Sequence, residues 1–179
     1  VFGIYNTEDL KNEKGEIIVK ADTLLQEMTS DEDGQAVFTV DLPLGQYYVK
    51  ELKAPAGFVS SDEILTFDAS YQGQDVETVV LKAVKKNQPT TVEITKSDIT
   101  TGTELDGASL KVLDKDGNVV DEWTSVKDAP HVIKRLVVGE TYTLREEIAP
   151  YGCLKATDAE LTVEDTGGVP EVGMKDEAP

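Results

Sequence analysis

The stretch Gly45-Gln46-Tyr47-Tyr48-Val49-Lys50-Glu51-Leu52-Lys53-Ala54-Pro55-Ala56-Gly57-Phe58 returns, altered, as Gly139-Glu140-Thr141-Tyr142-Thr143-Leu144-Arg145-Glu146-Glu147-Ile148-Ala149-Pro150-Tyr151-Gly152-Cys153. In both, a glutamate stands four residues before a proline and six before a glycine. Glu51 and Glu146 lie roughly 95 residues apart, too long a period for a solenoid repeat and the length of one small domain. Asp31-Glu32-Asp33-Gly34 and Asp116-Gly117 mark hairpin turns, and each copy closes on an alternating apolar strand. The copies meet near Asn87-Gln88-Pro89-Thr90, where proline interrupts the strand pattern, giving domains 1–88 and 89–179. So short a link predicts two modules coupled semi-rigidly end to end.

Period-2 alternation predicts strands at Val1–Asn6, Ile17–Lys20, Ala36–Val40, Gln46–Leu52, Glu63–Phe67 and Glu77–Val84 in the first copy. In the second it predicts Val92–Lys96, Leu110–Asp114, Val119–Glu122, His131–Ile133, Tyr142–Glu146, Glu160–Val163 and Glu171–Asp176. A short helix over Ala21–Met28 is the one departure. Strands this short and regular, few aromatics and frequent turn residues predict an all-β chain of two sandwiches. Val92–Lys96 opens the second copy, whereas the first starts at the counterpart of Leu110. The first domain is therefore expected to lack its opening strand, leaving an open edge that an external strand would complete.

Alternation also makes a statement about chemistry. Lys96 shares its strand face with Val92 and Ile94, Glu146 with Tyr142 and Leu144, and Asp176 with Val172 and Met174. Three ionisable side chains thus stand on core-facing sides, and a charge buried without a partner is very costly. Two readings follow: a buried salt-bridge triad or strand ends that reach solvent, and, more sharply, an amide between Lys96 and Asp176. In the second, a dry interior favours uncharged forms, the Lys96 amine attacks the Asp176 carboxyl carbon, and Glu146 shuttles protons as water leaves. Such a reaction turns over once.

Ile94-Thr95-Lys96-Ser97-Asp98, Leu105-Asp106-Gly107-Ala108, the two Tyr-x₃-Glu-x₂-Ala-Pro-x-Gly segments and Met174-Lys175-Asp176 resemble the B-type domains of Gram-positive collagen adhesins and SpaA-like pilins, known as Cna-B domains. The resemblance runs over nearly the whole chain. It implies two tandem transthyretin-like or inverse-immunoglobulin β-sandwiches and an extracellular, wall-anchored protein whose anchor lies outside this chain. It also implies a self-formed isopeptide between first and last strands. Carried over residue by residue, Lys96 is the amine donor, Glu146 the proton shuttle and Asp176 the acceptor, where many relatives use Asn. In the first copy Glu51 matches the shuttle and Asn87 the acceptor. The donor lysine would fall about a dozen residues before Val1, so no bond is expected there; Lys82, Lys85 and Lys86 sit beside the acceptor and are poorly placed. Cys153 stands where the family has an aromatic and reads as a buried, inert thiol.

The function expected is that of stalk or spacer modules, with the bond diverting load from the strand ladders. Partners would be neighbouring domains of the same surface protein and a host protein or glycan. Alternatives are a ligand-binding adhesin module and an accessory sandwich of a secreted enzyme. A net charge of −18 argues against nucleic acid and anionic membranes. No signal peptide or bilayer-spanning run is present, and the chain opens on Val1-Phe2-Gly3-Ile4-Tyr5 already as a strand, which reads as an internal fragment. With one cysteine, no intrachain disulfide forms. Asp114-Lys115-Asp116-Gly117-Asn118 echoes a calcium loop, but its twelfth position is Ser125, so a hairpin turn is expected. His131 stands alone, no phosphate loop or nucleophile motif occurs, and neither metal nor cofactor is expected. Trp123 is expected in or near the core.

Overall fold

The computed structural model of the chain describes residues 1–74 and 81–176, and no helix occurs among them. The chain packs as two compact units, Val1–Pro55 with Ser60–Asn87, and Ala56–Val59 with Gln88–Pro179.

The first unit contains Phe2–Asn6 (β1), Leu10–Lys11 (β2), Ile17–Val19 (β3), Leu24–Met28 (β4), Gly45–Glu51 (β5) and Ile64–Ala69 (β6). Its main sheet runs β4-β1-β5-β6, every pair antiparallel, with β2-β3 as a separate ribbon. Alternation along β5 turns Tyr47 and Val49 inward, where they join Ile4 of β1 in a small core. The Tyr47 hydroxyl donates to Pro43 O at 2.6 Å, and burial pushes the phenol above its ordinary range. Tyr47→Phe leaves that carbonyl without its donor. The expected cost is about 1 kcal/mol, seen as a fall of about 5 °C in the first unit's thermal transition.

Two expectations fail in this unit. Residues 24–28 form no helix but strand β4, paired with β1 from Phe2↔Met28 to Tyr5↔Leu24. Leu, Gln, Glu and Met all favour helix, yet the edge of β1 offers a ladder. The preceding turn is held by Asn6, whose Oδ1 accepts from Thr23 N at 3.0 Å and whose backbone O accepts from Asp22 N at 2.8 Å. Ala36–Val40 keeps its alternation, with Phe38 and Val40 packed on the core, but joins no ladder. The Thr39 and Val40 amides instead donate to Gln26 Oε1, each at 2.9 Å. Of the expected strand Glu77–Val84, residues 77–80 lie outside the described residues, and 81–84 form no strand.

The second unit contains Thr91–Asp98 (β7), Ser109–Leu113 (β8), Val119–Thr124 (β9), His131–Lys134 (β10), Thr141–Ile148 (β11), Ala159–Thr162 (β12) and Glu171–Asp176 (β13). Two sheets, β10-β7-β13 and β12-β11-β8-β9, share one core built on Val92, Ile94, Leu110, Val112, Leu144 and Met174. The order β9-β8-β11-β12 repeats β4-β1-β5-β6, so the internal similarity extends to topology. β10-β7-β13 is the layer without a counterpart among the described strands of the first unit, which explains why residues 36–40 find no ladder there.

The rim between β9 and β10 is closed by Trp123 stacked on His131 at 4.0 Å, with His131 Nε2 2.8 Å from Asp121 Oδ2. The Asp114–Asn118 segment is a tight turn between β8 and β9, in which Asp114 Oδ1 accepts from Asn118 N at 2.8 Å and Gly117 takes φ 84°. On the outer face Arg145 grips Asp158 through Nε and one Nη, the latter at 2.7 Å, and that hydrogen bonding holds the Asp158 carboxyl below its ordinary range. A depressed folded-state value adds stability above the unfolded value of about 3.9, lost as pH falls through the folded one. The melting temperature is therefore expected to drop on acidification below about pH 4, and to drop less in Asp158→Asn, as thermal melts along a pH series would show.

Candidate functional site

Strands β7, β11 and β13 each turn alternate residues into the core. On β7 these are Val92, Ile94, Lys96 and Asp98; on β11, Tyr142, Leu144 and Glu146; on β13, Met174 and Asp176. Lys96, Glu146 and Asp176 are 4%, 0% and 1% exposed, so all three lie in the dry interior. β13 runs parallel to β7 with Met174 opposite Lys96 and Asp176 opposite Asp98, which sets amine and carboxyl as diagonal neighbours on one sheet. Glu146 reaches them from the other sheet. Backbone bonds hold this end together: Ile99 N donates to Asp176 O at 2.7 Å and Leu105 N to Lys96 O at 2.8 Å.

Lys96 Nζ donates directly to Asp176 Oδ1 and lies 3.2 Å from Glu146 Oε1. Glu146 Oε2 accepts from Ala156 N at 2.6 Å, so the carboxylate is oriented with its other oxygen toward the lysine. Asp176 Oδ2 is buried and accepts no hydrogen bond. A buried acid oxygen left without a donor is costly, and a bond that removed one oxygen from this carboxyl would relieve that cost. The Ala156 amide carries no side-chain signature, so only the fold reveals its part in the site.

In the first unit Asn87 Nδ2 donates to Glu51 Oε1 at 2.7 Å, while Glu51 Oε2 is buried and without a hydrogen-bond partner. Lys85 turns away from this pair, its Nζ 2.8 Å from Ser61 Oγ and 3.3 Å from Glu63 Oε2. Cys153 is half-buried and unpaired, in the loop after β11. Among the described residues no group of His, Cys, Asp and Glu side chains is arranged to hold a metal ion.

The family model for SpaA, described as a prealbumin-like fold domain, matches residues 1–84 and again 90–178. Among solved structures, the Bacillus anthracis TIE protein superposes with a TM-score of 0.57 at 27% identity, covering 98% of this chain and 30% of that one. The chain thus spans under a third of the length of that relative. A C-terminal fragment of the pilus adhesin SpaC from Lactobacillus rhamnosus GG superposes with a TM-score of 0.52 at 17% identity, covering 99% of this chain and 88% of that fragment, a likeness of fold. No curated protein sequence matches the chain.

Proposed function

This chain belongs to the SpaA prealbumin-like fold domains, and on that footing we propose that its two units are structural spacers of a Gram-positive pilin or adhesin, the second closed by an isopeptide between Lys96 and Asp176. The observation that carries this reading is the enclosure of one amine and two acids in a dry core, with Lys96 Nζ against Asp176 Oδ1 and 3.2 Å from Glu146 Oε1.

The lysine amine attacks Asp176 Cγ, forming the N–C bond. Glu146 takes a proton from the nitrogen and delivers it to the departing carboxyl oxygen, and one water leaves. Atoms and charge balance from neutral amine and neutral acid to amide and water, and Glu146 ends as it began. Folding supplies the proximity that a bimolecular amide formation lacks, worth several kcal/mol of barrier, and the sealed core keeps hydrolysis from competing. The 80-residue separation of the partners makes a large covalent loop. By the chain-entropy argument used for disulfides, closing it stabilises the unit by about 4.5 kcal/mol, without any oxidising chemistry.

In the first unit the pair Glu51 and Asn87 is the equivalent shuttle and acceptor, and the orphaned Glu51 Oε2 marks where an amine on an added strand would be received. Lys85 is engaged elsewhere, so residues 1–179 alone form one bond and not two. Intact-mass measurement tests this: one water, about 18 Da, should be missing from the chain mass. An unreduced mass would refute the bond, and a second loss would refute the assignment of the first unit. The expected setting is the cell exterior, with neighbouring domains of the same surface protein as the principal partners.

A further inference from the structure

We propose that the loop Gly152-Cys153-Leu154, after β11, is the seat for the opening residues of a further module of the same fold. The inference rests on the reading of this chain as tandem spacer modules. The loop is dressed for burial yet exposed: Tyr151 has no cover at all, and Leu154 is 69% exposed. Glycine, a small or aromatic side chain and an aliphatic one follow the proline in both copies, Gly57-Phe58-Val59 and Gly152-Cys153-Leu154.

The earlier of these segments is built into the second compact unit and records what covers it. Val59 N donates to Gln88 O at 2.8 Å, Thr90 N donates to Gly57 O at 3.0 Å, and Phe58 bridges to Pro89 between them. Arg135 sets its guanidinium 5.3 Å over the Phe58 ring, and a Cβ on Gly57 would come within 2.6 Å of Arg135 O. Gly57 is therefore required twice, by its φ of 80° and by that close approach. Gly152 likewise has a left-handed φ, 86°, at the matching position of the later loop. Glu51 and Asn87 of one copy correspond to Glu146 and Asp176 of the other. Pro89 stands two residues after Asn87 and Pro179 three after Asp176, so a following module has one residue more before its proline in which to reach Gly152-Cys153-Leu154 and pair with it as Gln88-Pro89-Thr90 pair with Gly57-Phe58-Val59. The partner is thus identified by chemistry: an extended X-Pro-Thr entry leading into a β7-like strand, with a left-handed residue like Arg135 whose carbonyl closes on the glycine.

The test joins a second copy of residues 88–176, its own Cys153 replaced by Ser, directly after Asp176 in place of Glu177-Ala178-Pro179. A parallel protein carries a twelve-residue Gly/Ser spacer at that junction. Maleimide should modify the original Cys153 at least about tenfold more slowly in the direct fusion than in the chain alone, with the rate restored by the spacer. Hydrogen exchange at the Leu154 amide should slow in parallel, since that amide corresponds to the Val59 donor. Equal rates in all three proteins, or equal protection with and without the spacer, would overturn the seat. Water losses, read on the same samples, report the weld separately: protection without mass loss would retain the seat and refute the bond, and mass loss without protection the reverse.

Discussion

Glu146→Ala is expected to leave the chain at its full, unreduced mass and to lower the second unit's melting temperature by about 20–40 °C. The size follows from loop closure. Without a proton shuttle the Lys96 and Asp176 side chains remain in contact as separate groups, and the unfolded chain regains the freedom of the 80-residue loop, about 4.5 kcal/mol. For a domain of this size 1 kcal/mol moves the midpoint by about 4–8 °C. The alanine also strands the Ala156 amide, which Glu146 Oε2 now satisfies, adding about 1 kcal/mol. Glu146→Gln separates the two contributions, because it keeps the shape and an acceptor oxygen for Ala156 but cannot carry a proton in the same way. It should lose the bond and nearly all of the same stability. Intact mass and calorimetry on the two variants check both statements, and a Glu146→Gln chain still lighter by one water would dismiss the shuttle.

Pulled from its two ends, the second unit is expected not to lengthen at forces that unravel unlinked β-sandwiches. Lys96→Ala should convert it to an extensible module that releases roughly 270 Å in one step. Load enters through β7 and leaves through β13, which lie side by side and parallel. With the amide in place it crosses from Lys96 to Asp176 without passing through the β8–β12 region, and the residues between them never see tension. At about 3.3–3.6 Å per extended residue, the hidden 80-residue length accounts for the step. Single-molecule extension of the full chain reads this directly. Because no amine is paired with Glu51 and Asn87 among the described residues, the first unit should open in both proteins and serves as the internal reference. A full-length step from the unaltered second unit would exclude the covalent load path.

The orientation of Lys96, Glu146 and Asp176 was legible because side-chain direction along a strand has period two, a local rule that survives errors of a residue or two at strand ends. Lys96 lies between Ile94 and Asp98 in the inward series, and Glu146 follows Tyr142 and Leu144, whatever the neighbouring strands are. The same local rule misled at residues 36–40, where alternation is present but a ladder needs a second strand to accept it. At residues 24–28 local propensity pointed to a helix, and the free edge of β1 with the Asn6-held turn decided for a strand.

From its residues alone this chain determined its class, its internal duplication and which acidic and basic side chains face inward, since each depends on periodicity and on residue type. Only the tertiary structure decided that β13 lies parallel beside β7, that Glu146 crosses from the opposite sheet, and that Ala156 N orients it. It likewise decided that the Gly57 loop is folded into the second unit. Those are matches between segments tens of residues apart, set by which edges and apolar faces remain to be covered once local structure has formed, and no short stretch of sequence contains them.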